Sequence, residues 1–175
     1  MREIGAISTA NKTRPAKSVR AHVRESDVLL YIYTSGTTGL PKASRISHTR
    51  YYVASSPFRI LCALTRQDRV YCPLPLYHSS AVMLGVGGAI ISGATMVLRK
   101  KFSVRAFSKD CLDHGITAVQ YIGELCRYLK DAPPEEADAL LDIRIALGYG
   151  LRADVWEGFR RRYGIRLVVE FYAAT

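Results

Sequence analysis

From Tyr31 to Lys42 the chain reads Tyr-Ile-Tyr-Thr-Ser-Gly-Thr-Thr-Gly-Leu-Pro-Lys, a β-branched and aromatic run that passes directly into hydroxyls, glycines and a lysine. Glycines let backbone N–H groups close around an anion, hydroxyls add donors, and an ammonium adds a full positive charge. Such a loop suits the phosphates of a nucleotide. It is not a Walker loop, which needs Gly, four residues and then Gly-Lys-Ser/Thr. Here Gly36 and Gly39 stand three apart, and Lys42 follows Pro41.

Three more segments carry residues fit for a site. In Leu74-Pro-Leu-Tyr-His-Ser-Ser80, His78 sits between a strand and a glycine-rich helix. A histidine there can titrate or gate a pocket, although an isolated one is more often a structural residue. Gly148-Tyr149-Gly150-Leu-Arg152 ends a strand just before a helix, where glycines permit close backbone approach to a flat ligand. Glu170-Phe-Tyr172-Ala-Ala-Thr175 closes a strand with aromatic rings able to stack on a base. His22, His48 and His114 have no comparable setting.

The elements that must position these residues alternate. Val28–Tyr33 reads as a strand, followed by the phosphate loop and a helix from about Ser47 that stops or kinks at Pro57. Strands are expected at Val70–Leu74, Thr95–Leu98, Thr117–Ile122, Ile143–Leu147 and Arg166–Phe171. Helices fall between them: Ser79–Ile91, then one capped by Ser103 and ending at Gly115, then Glu124–Lys130, a polar helix opened by Pro133-Pro134, and Arg152–Tyr163. This alternation predicts an α/β fold with a mostly parallel sheet flanked by helices. Residues 1–27 form a lead-in without periodicity.

Composition adds bounds. The 175 residues suffice for one domain with a real core, and the net charge of +10 favours polyphosphates or an anionic membrane face. Arg99-Lys-Lys101 and Arg160-Arg-Arg162 concentrate that charge, yet no zinc-finger or RNA-binding spacing accompanies it, so nucleic acid is not expected as a partner. Cys62, Cys72, Cys111 and Cys126 form no Cys-x-x-Cys pair and read as reduced, buried residues. No apolar leader opens the chain. The charge-free run Ala81–Leu98 is long enough to raise a membrane span, but its four glycines favour a buried helix, a turn and a buried strand.

The order of phosphate loop, LPLYHS, GYGLR and FYAAT resembles the core of the adenylate-forming enzymes. Leu30–Ala43, Arg99–Ser103, Tyr121–Leu129 and Glu170–Tyr172 are similar to the fatty acid transport protein branch, the very-long-chain acyl-CoA synthetases. The resemblance covers residues 28–175, read as part of the large N-terminal domain of such an enzyme, with the small C-terminal domain absent. It implies activation of a long or very-long-chain fatty acid through an acyl-adenylate, with ATP, Mg²⁺ and CoA. It also implies peripheral membrane association on a cytosol-facing surface of the endoplasmic reticulum or plasma membrane.

Carried onto this chain, the resemblance makes Thr34, Ser35, Gly36, Thr37, Thr38, Gly39 and Lys42 the phosphate loop. His78 matches a histidine near the acyl entrance, and Gly148, Tyr149 and Gly150 a segment against adenine and the acyl pocket. Tyr172 matches the adenine-stacking aromatic, and Thr175 the threonine near phosphates and metal. Lys42, His78 and Thr175 would be the catalytic groups. Three positions depart from the pattern: Tyr149 replaces a usual Asn, Ala173 a usual Gly, and Ala81 a glycine or other small residue. The glutamate that follows the final threonine in the family has no counterpart, so the chain is expected to be a central fragment with weak or no activity. A nucleotide-binding protein without catalysis, or adenylation of another acid, are the competing expectations.

Overall fold

The computed structural model describes residues 14–34 and 39–172. Its central sheet contains five parallel strands in the order β4-β3-β5-β6-β7. These are β3 (Arg69–Cys72), β4 (Thr95–Leu98), β5 (Ala118–Ile122), β6 (Ile145–Tyr149) and β7 (Leu167–Glu170). β3, β5 and β6 are buried almost along their whole length, as befits parallel strands covered on both faces. The expected α/β architecture is present.

Two layers of helices cover the sheet. Helices α4 (Val104–Asp113), α5 (Gly123–Asp131) and α6 (Ala153–Arg162) pack Phe107, Cys111, Leu129, Phe159 and Tyr163 against Val119 and Tyr121 of β5. On the opposite face, α2 (Pro57–Cys62) and a π-helix (Ser80–Gly87) bring Phe58 and Leu84 to Val70, Ala118, Ile145 and Leu147. The π-helix runs on into α3 (Gly88–Ser92), and Gly93 turns the chain into β4. A helix this glycine-rich packs closely. A Cβ on Gly85 would lie 2.8 Å from Met96 Cε, one on Gly87 2.7 Å from Ser55 Cβ, and one on Gly88 2.9 Å from a ring carbon of Phe58. The charge-free run is thus a helix, a turn and a strand, as its glycines suggested, but the strand expected to be buried is the edge strand β4, with Thr95 and Leu98 exposed because no further strand covers that side. Among the described residues no helix is long and apolar enough to cross a membrane.

The first strand departs from expectation. β1 (Val28–Thr34) does not join the central sheet; it pairs antiparallel with β2 (Lys42–Ser47) in a separate hairpin. The segment expected to be a phosphate loop therefore joins two antiparallel strands, with Thr34 opposite Lys42, rather than a strand and a helix. Ile32 and Ile46 of the hairpin pack against Met83 of the π-helix. Helix α1 (His48–Ser55) begins where expected, capped by Ser47, whose hydroxyl accepts from the Arg50 nitrogen. Pro57 does not kink that helix; it takes the first turn of α2, where its missing N–H costs nothing.

Smaller differences have local causes. Pro133-Pro134 leads into a 3-10 helix, Glu136–Leu140, with a capping box between Glu135 and Asp138. Ser103 occupies the N-cap position of α4 without a side-chain capping bond. β6 begins and ends two residues later than expected, so Gly148 and Tyr149 belong to the strand itself.

At the amino ends of the strands, buried Asp68 ties the layers together. It accepts from Thr65 and Thr117 hydroxyls and from Arg144, whose Nη2 lies 2.6 Å from Oδ2. Arg144 also donates to the carbonyls of Cys62 and Ala63. The triple-arginine run is divided. Arg160 and Arg161 pair with Glu157 on the surface, whereas Arg162 donates to Asp138 and to the carbonyls of Lys130, Ala132 and Pro133. That run serves packing more than it offers an anion-binding surface.

Candidate functional site

The carboxyl ends of the central strands carry the candidate residues, the edge where ligands bind in open α/β sheets. β6 delivers Gly148 and Tyr149, and β7 delivers Phe171 and Tyr172. The turn after β3 delivers His78, whose backbone nitrogen donates to the Pro75 carbonyl at 3.1 Å and whose carbonyl accepts from Val82. His78, Tyr149 and Tyr172 line one cleft of about 430 Å³. Its floor is Ser80, Met83 and Leu84 of the π-helix, and its far wall is Ala54, Pro57 and Leu61. A mostly apolar cleft with a few polar groups at its rim suits a ligand with a hydrocarbon part and a polar head.

Tyr149 forms part of the wall. Its ring meets Phe171 edge-on at 5.5 Å and stays 39 % exposed, so the bulky side chain narrows the cleft. Gly148 is glycine for a nearer reason than the ligand: a Cβ there would sit 2.6 Å from the Tyr121 ring on β5. Gly150 turns the chain out of the strand at φ +73°, a left-handed conformation that L side chains resist. Tyr172 is 99 % exposed, its faces free for stacking.

Glu170 was not among the expected site residues, yet it holds this turn. Its Oε1 accepts from the Leu151 backbone nitrogen at 3.1 Å and from the Tyr121 hydroxyl at 2.8 Å. Burial, and then this bond and the nearby carboxylate charge, push the Tyr121 hydroxyl pKa upward, so it remains a donor. Only its place just before two aromatics hinted at a role. Ser80 and Gln120 were likewise missed. The buried Gln120 amide donates to the Ser80 carbonyl at 2.7 Å and hydroxyl at 3.0 Å, fixing the start of the π-helix beneath the cleft.

Of the residues expected to form a phosphate loop, the described Thr34, Gly39 and Lys42 do not line the cleft. Thr34 ends β1, and its hydroxyl donates to the Lys42 carbonyl at 3.3 Å across the base of the hairpin loop. Lys42 opens β2 and, like Gly39, is exposed. Ser35, Gly36, Thr37 and Thr38 lie outside the described residues, as do Ala173 and Thr175. A depression of about 300 Å³ between Leu30–Tyr33 and Leu76-Tyr77 separates the hairpin from the histidine turn. Among the described residues no cluster of His, Cys, Asp or Glu could hold a metal ion. The four cysteines are free and buried, and burial raises the Cys62 thiol to about 11 against the pull of Arg144. They are packing residues, not nucleophiles.

Comparison with known proteins places these features in a family. Residues 3–175 match the family described as AMP-binding enzyme. The chain is 50 % identical over 149 residues to long-chain fatty acid transport protein 1 of Bos taurus, covering 85 % of this chain and 23 % of that protein. It is 42 % identical over 176 residues to human long-chain fatty acid transport protein 5, covering 98 % of this chain and 25 % of that one. It thus spans about a quarter of the length of these curated relatives. Among solved structures, O-succinylbenzoate coenzyme A synthetase (MenE) from Bacillus subtilis in complex with AMP superposes with a TM-score of 0.72 at 26 % identity, over 87 % of this chain and 38 % of that one. ATP-bound MatB from Rhodopseudomonas palustris shares the fold, with a TM-score of 0.72 at 22 % identity over 84 % of this chain and 29 % of that one. The parallel sheet, the aromatic cleft at its carboxyl edge and the match along nearly the whole chain lead to one conclusion: the protein belongs to the AMP-binding enzyme family.

Proposed function

We propose that this chain contributes the nucleotide and acyl contacts of a fatty acid–CoA ligase. In that reaction a carboxylate oxygen of the acid attacks the α-phosphorus of ATP, the bond to pyrophosphate breaks, and an acyl-adenylate forms. The sulfur of CoA then attacks the acyl carbonyl and releases AMP. An anion must approach a polyanion, so positioning and cationic or N–H stabilisation of the phosphates carry the catalysis. Mg²⁺, when bound, would add charge neutralisation on the phosphates.

The observation that carries this reading is the cleft in which His78, Tyr149 and Tyr172 meet an apolar floor and wall. Tyr172 offers a ring to adenine, the Gly148–Gly150 turn faces the adenylate, and His78 guards the mouth where the carboxylate enters. Met83, Leu84 and Leu61 contact the hydrocarbon. Lys42 and the hydroxyls of Thr34, Ser35, Thr37 and Thr38 bind the triphosphate, with Gly36 and Gly39 supplying backbone N–H groups to it. Thr175 takes its place near phosphates and metal. The match to long-chain fatty acid transport proteins supports a long-chain acid over an aryl or amino acid.

Fatty acid-dependent ATP–pyrophosphate exchange tests the reading in the protein that carries these residues. Lys42→Ala, and Thr37→Ala with Thr38→Ala, should each lower exchange by about 100-fold, the scale of losing a stabilising donor in the transition state. Unchanged exchange in both variants would remove the loop from the reaction. The 175-residue chain, a quarter of its relatives' length, is expected to bind ATP while showing little exchange by itself.

A further inference from the structure

The floor of the cleft carries a polar group that the proposed reaction does not use. Ser80 opens the π-helix, lines the cleft beside Met83 and Leu84, and is only 9 % exposed. Gln120 Nε2 lies 2.7 Å from its carbonyl and 3.0 Å from its hydroxyl. The carbonyl fixes which way the amide points, because the reversed amide would set two carbonyl oxygens against each other. Nε2 therefore donates to both Ser80 oxygens, and the hydroxyl is the acceptor in this pair. Its own hydrogen is left over, and among the described residues no acceptor takes it.

Gln120 is closely held. It is fully buried on β5, and its Oε1 occupies the space that Gly85 leaves by lacking a Cβ. That oxygen has no hydrogen-bond partner among the described residues. An unpaired buried carbonyl is unfavourable. The amide bears it while keeping Nε2 on Ser80.

The surroundings decide what the leftover hydrogen can meet. Ala54, Pro57, Leu61, Met83 and Leu84 are apolar, and among the described residues no lysine or arginine lines the cleft. An ionised carboxylate settled on this floor would have no cation beside it, so the carboxyl end of an acid belongs at the rim with His78 and Tyr172. A plain alkyl chain would cover the hydroxyl and leave its hydrogen unpaired. A neutral oxygen on the chain itself satisfies it.

We infer that Ser80 selects an acyl chain bearing a neutral oxygen, a hydroxyl or a keto group, and donates its hydroxyl hydrogen to that oxygen. Gln120 is the positioning residue that aims the serine. The serine is fixed on a helix beneath the cleft, so it reads one depth, and the preferred oxygen stands at one or two adjacent carbons. The class of acid rests on the fatty acid reading above; the free donor on the floor does not.

Equilibrium dialysis of the protein with octadecanoic acid, and with monohydroxyoctadecanoic acids whose hydroxyl is moved along the chain, tests the inference without ATP or CoA. One position should bind about tenfold tighter than the unsubstituted acid. The keto acid with its oxygen at the same carbon can only accept a hydrogen bond, and should share the advantage. Ser80→Ala removes the hydroxyl but leaves Gln120 its bond to the carbonyl of residue 80. It should weaken the oxygenated acid about tenfold and bind octadecanoic acid at least as well as the parent chain does. A damaged fold would not separate the two acids. An equal loss for every acid would give Ser80 a structural role or a contact with the carboxylate, and overturns the inference. A flat response to hydroxyl position, a keto acid without the advantage, or binding of none of the acids overturns it as well. Circular dichroism reports folding, and should Ser80→Ala unfold, the position series and the keto acid on the parent chain decide. ATP–pyrophosphate exchange with the same acids separates this inference from the ligase reading: exchange with none of them sinks the ligase, while dialysis still ranks the acids.

Discussion

Glu170 at the end of β7 accepts a hydrogen bond from the backbone nitrogen of Leu151, 3.1 Å away and nineteen residues earlier in the chain. The same oxygen holds the Tyr121 hydroxyl, so three neighbouring strands share one acceptor at the rim of the cleft. Glu170→Gln keeps an acceptor oxygen and should retain most nucleotide affinity. Glu170→Ala leaves the Leu151 N–H unpaired and the Tyr121 hydroxyl with only the longer bond to the Val169 carbonyl, freeing the turn that carries Tyr149, at about 1–3 kcal/mol. Calorimetric ATP titration should show about tenfold weaker binding for the alanine variant alone.

Gly148→Ala provides a steric test of the same turn. The added methyl would meet the Tyr121 ring at 2.6–2.7 Å, and neither strand can yield without breaking the β5–β6 ladder. Overpacking of this kind costs about 1–3 kcal/mol. A lowered denaturation midpoint is expected, whereas Tyr149→Asn, at a half-exposed site, should leave stability nearly unchanged and widen the cleft.

The Asp68–Arg144 pair gives stability a defined pH dependence. Burial alone would raise the Asp68 pKa, but bonds from Arg144, Thr65 and Thr117 outweigh it and hold the carboxyl well below the usual range. A depressed folded pKa contributes stability that is present above the unfolded value of about 4 and lost as pH falls through the folded value. Urea melts should therefore weaken steadily below about pH 4. Arg144→Met leaves the buried carboxylate unpaired, should cost about 3 kcal/mol at neutral pH, and should move acid unfolding to higher pH. Asp68→Asn with Arg144→Met should be the milder change.

The arginine run offers an internal contrast. Arg161 is exposed and pairs with Glu157, so Arg161→Ala should change stability by less than about 1 kcal/mol. Arg162 is 13 % exposed at its side chain and pairs with Asp138, which is 6 % exposed. Arg162→Ala strands that carboxylate and three carbonyls and should cost about 3 kcal/mol by thermal or chemical unfolding.

These contrasts show where the amino-acid sequence is readable. The run Ala81–Leu98 discloses its helix, turn and strand because glycine and the absence of charge are local signals. β2 stayed hidden because Lys-Ala-Ser-Arg-Ile-Ser has one large apolar residue, Ile46, and gains its strand form from pairing with β1. Local patterning likewise gave no means of telling Arg162 from Arg161, which differ only in what the fold sets beside them. The cleft residues His78, Tyr149 and Tyr172 were named from their strand-end positions, and the parallel sheet does gather them. Glu170 and Gln120 act through partners tens of residues away, which no short motif records.

The three glycines at the end of the π-helix and the start of α3 each touch a different body: Gly85 the sheet, Gly87 helix α1 and Gly88 helix α2. One short segment consequently spaces the floor and the far wall of the cavity. A methyl group at any of the three would wedge those parts asunder, so the bore available to a threading chain is dictated by carbons this stretch does not possess.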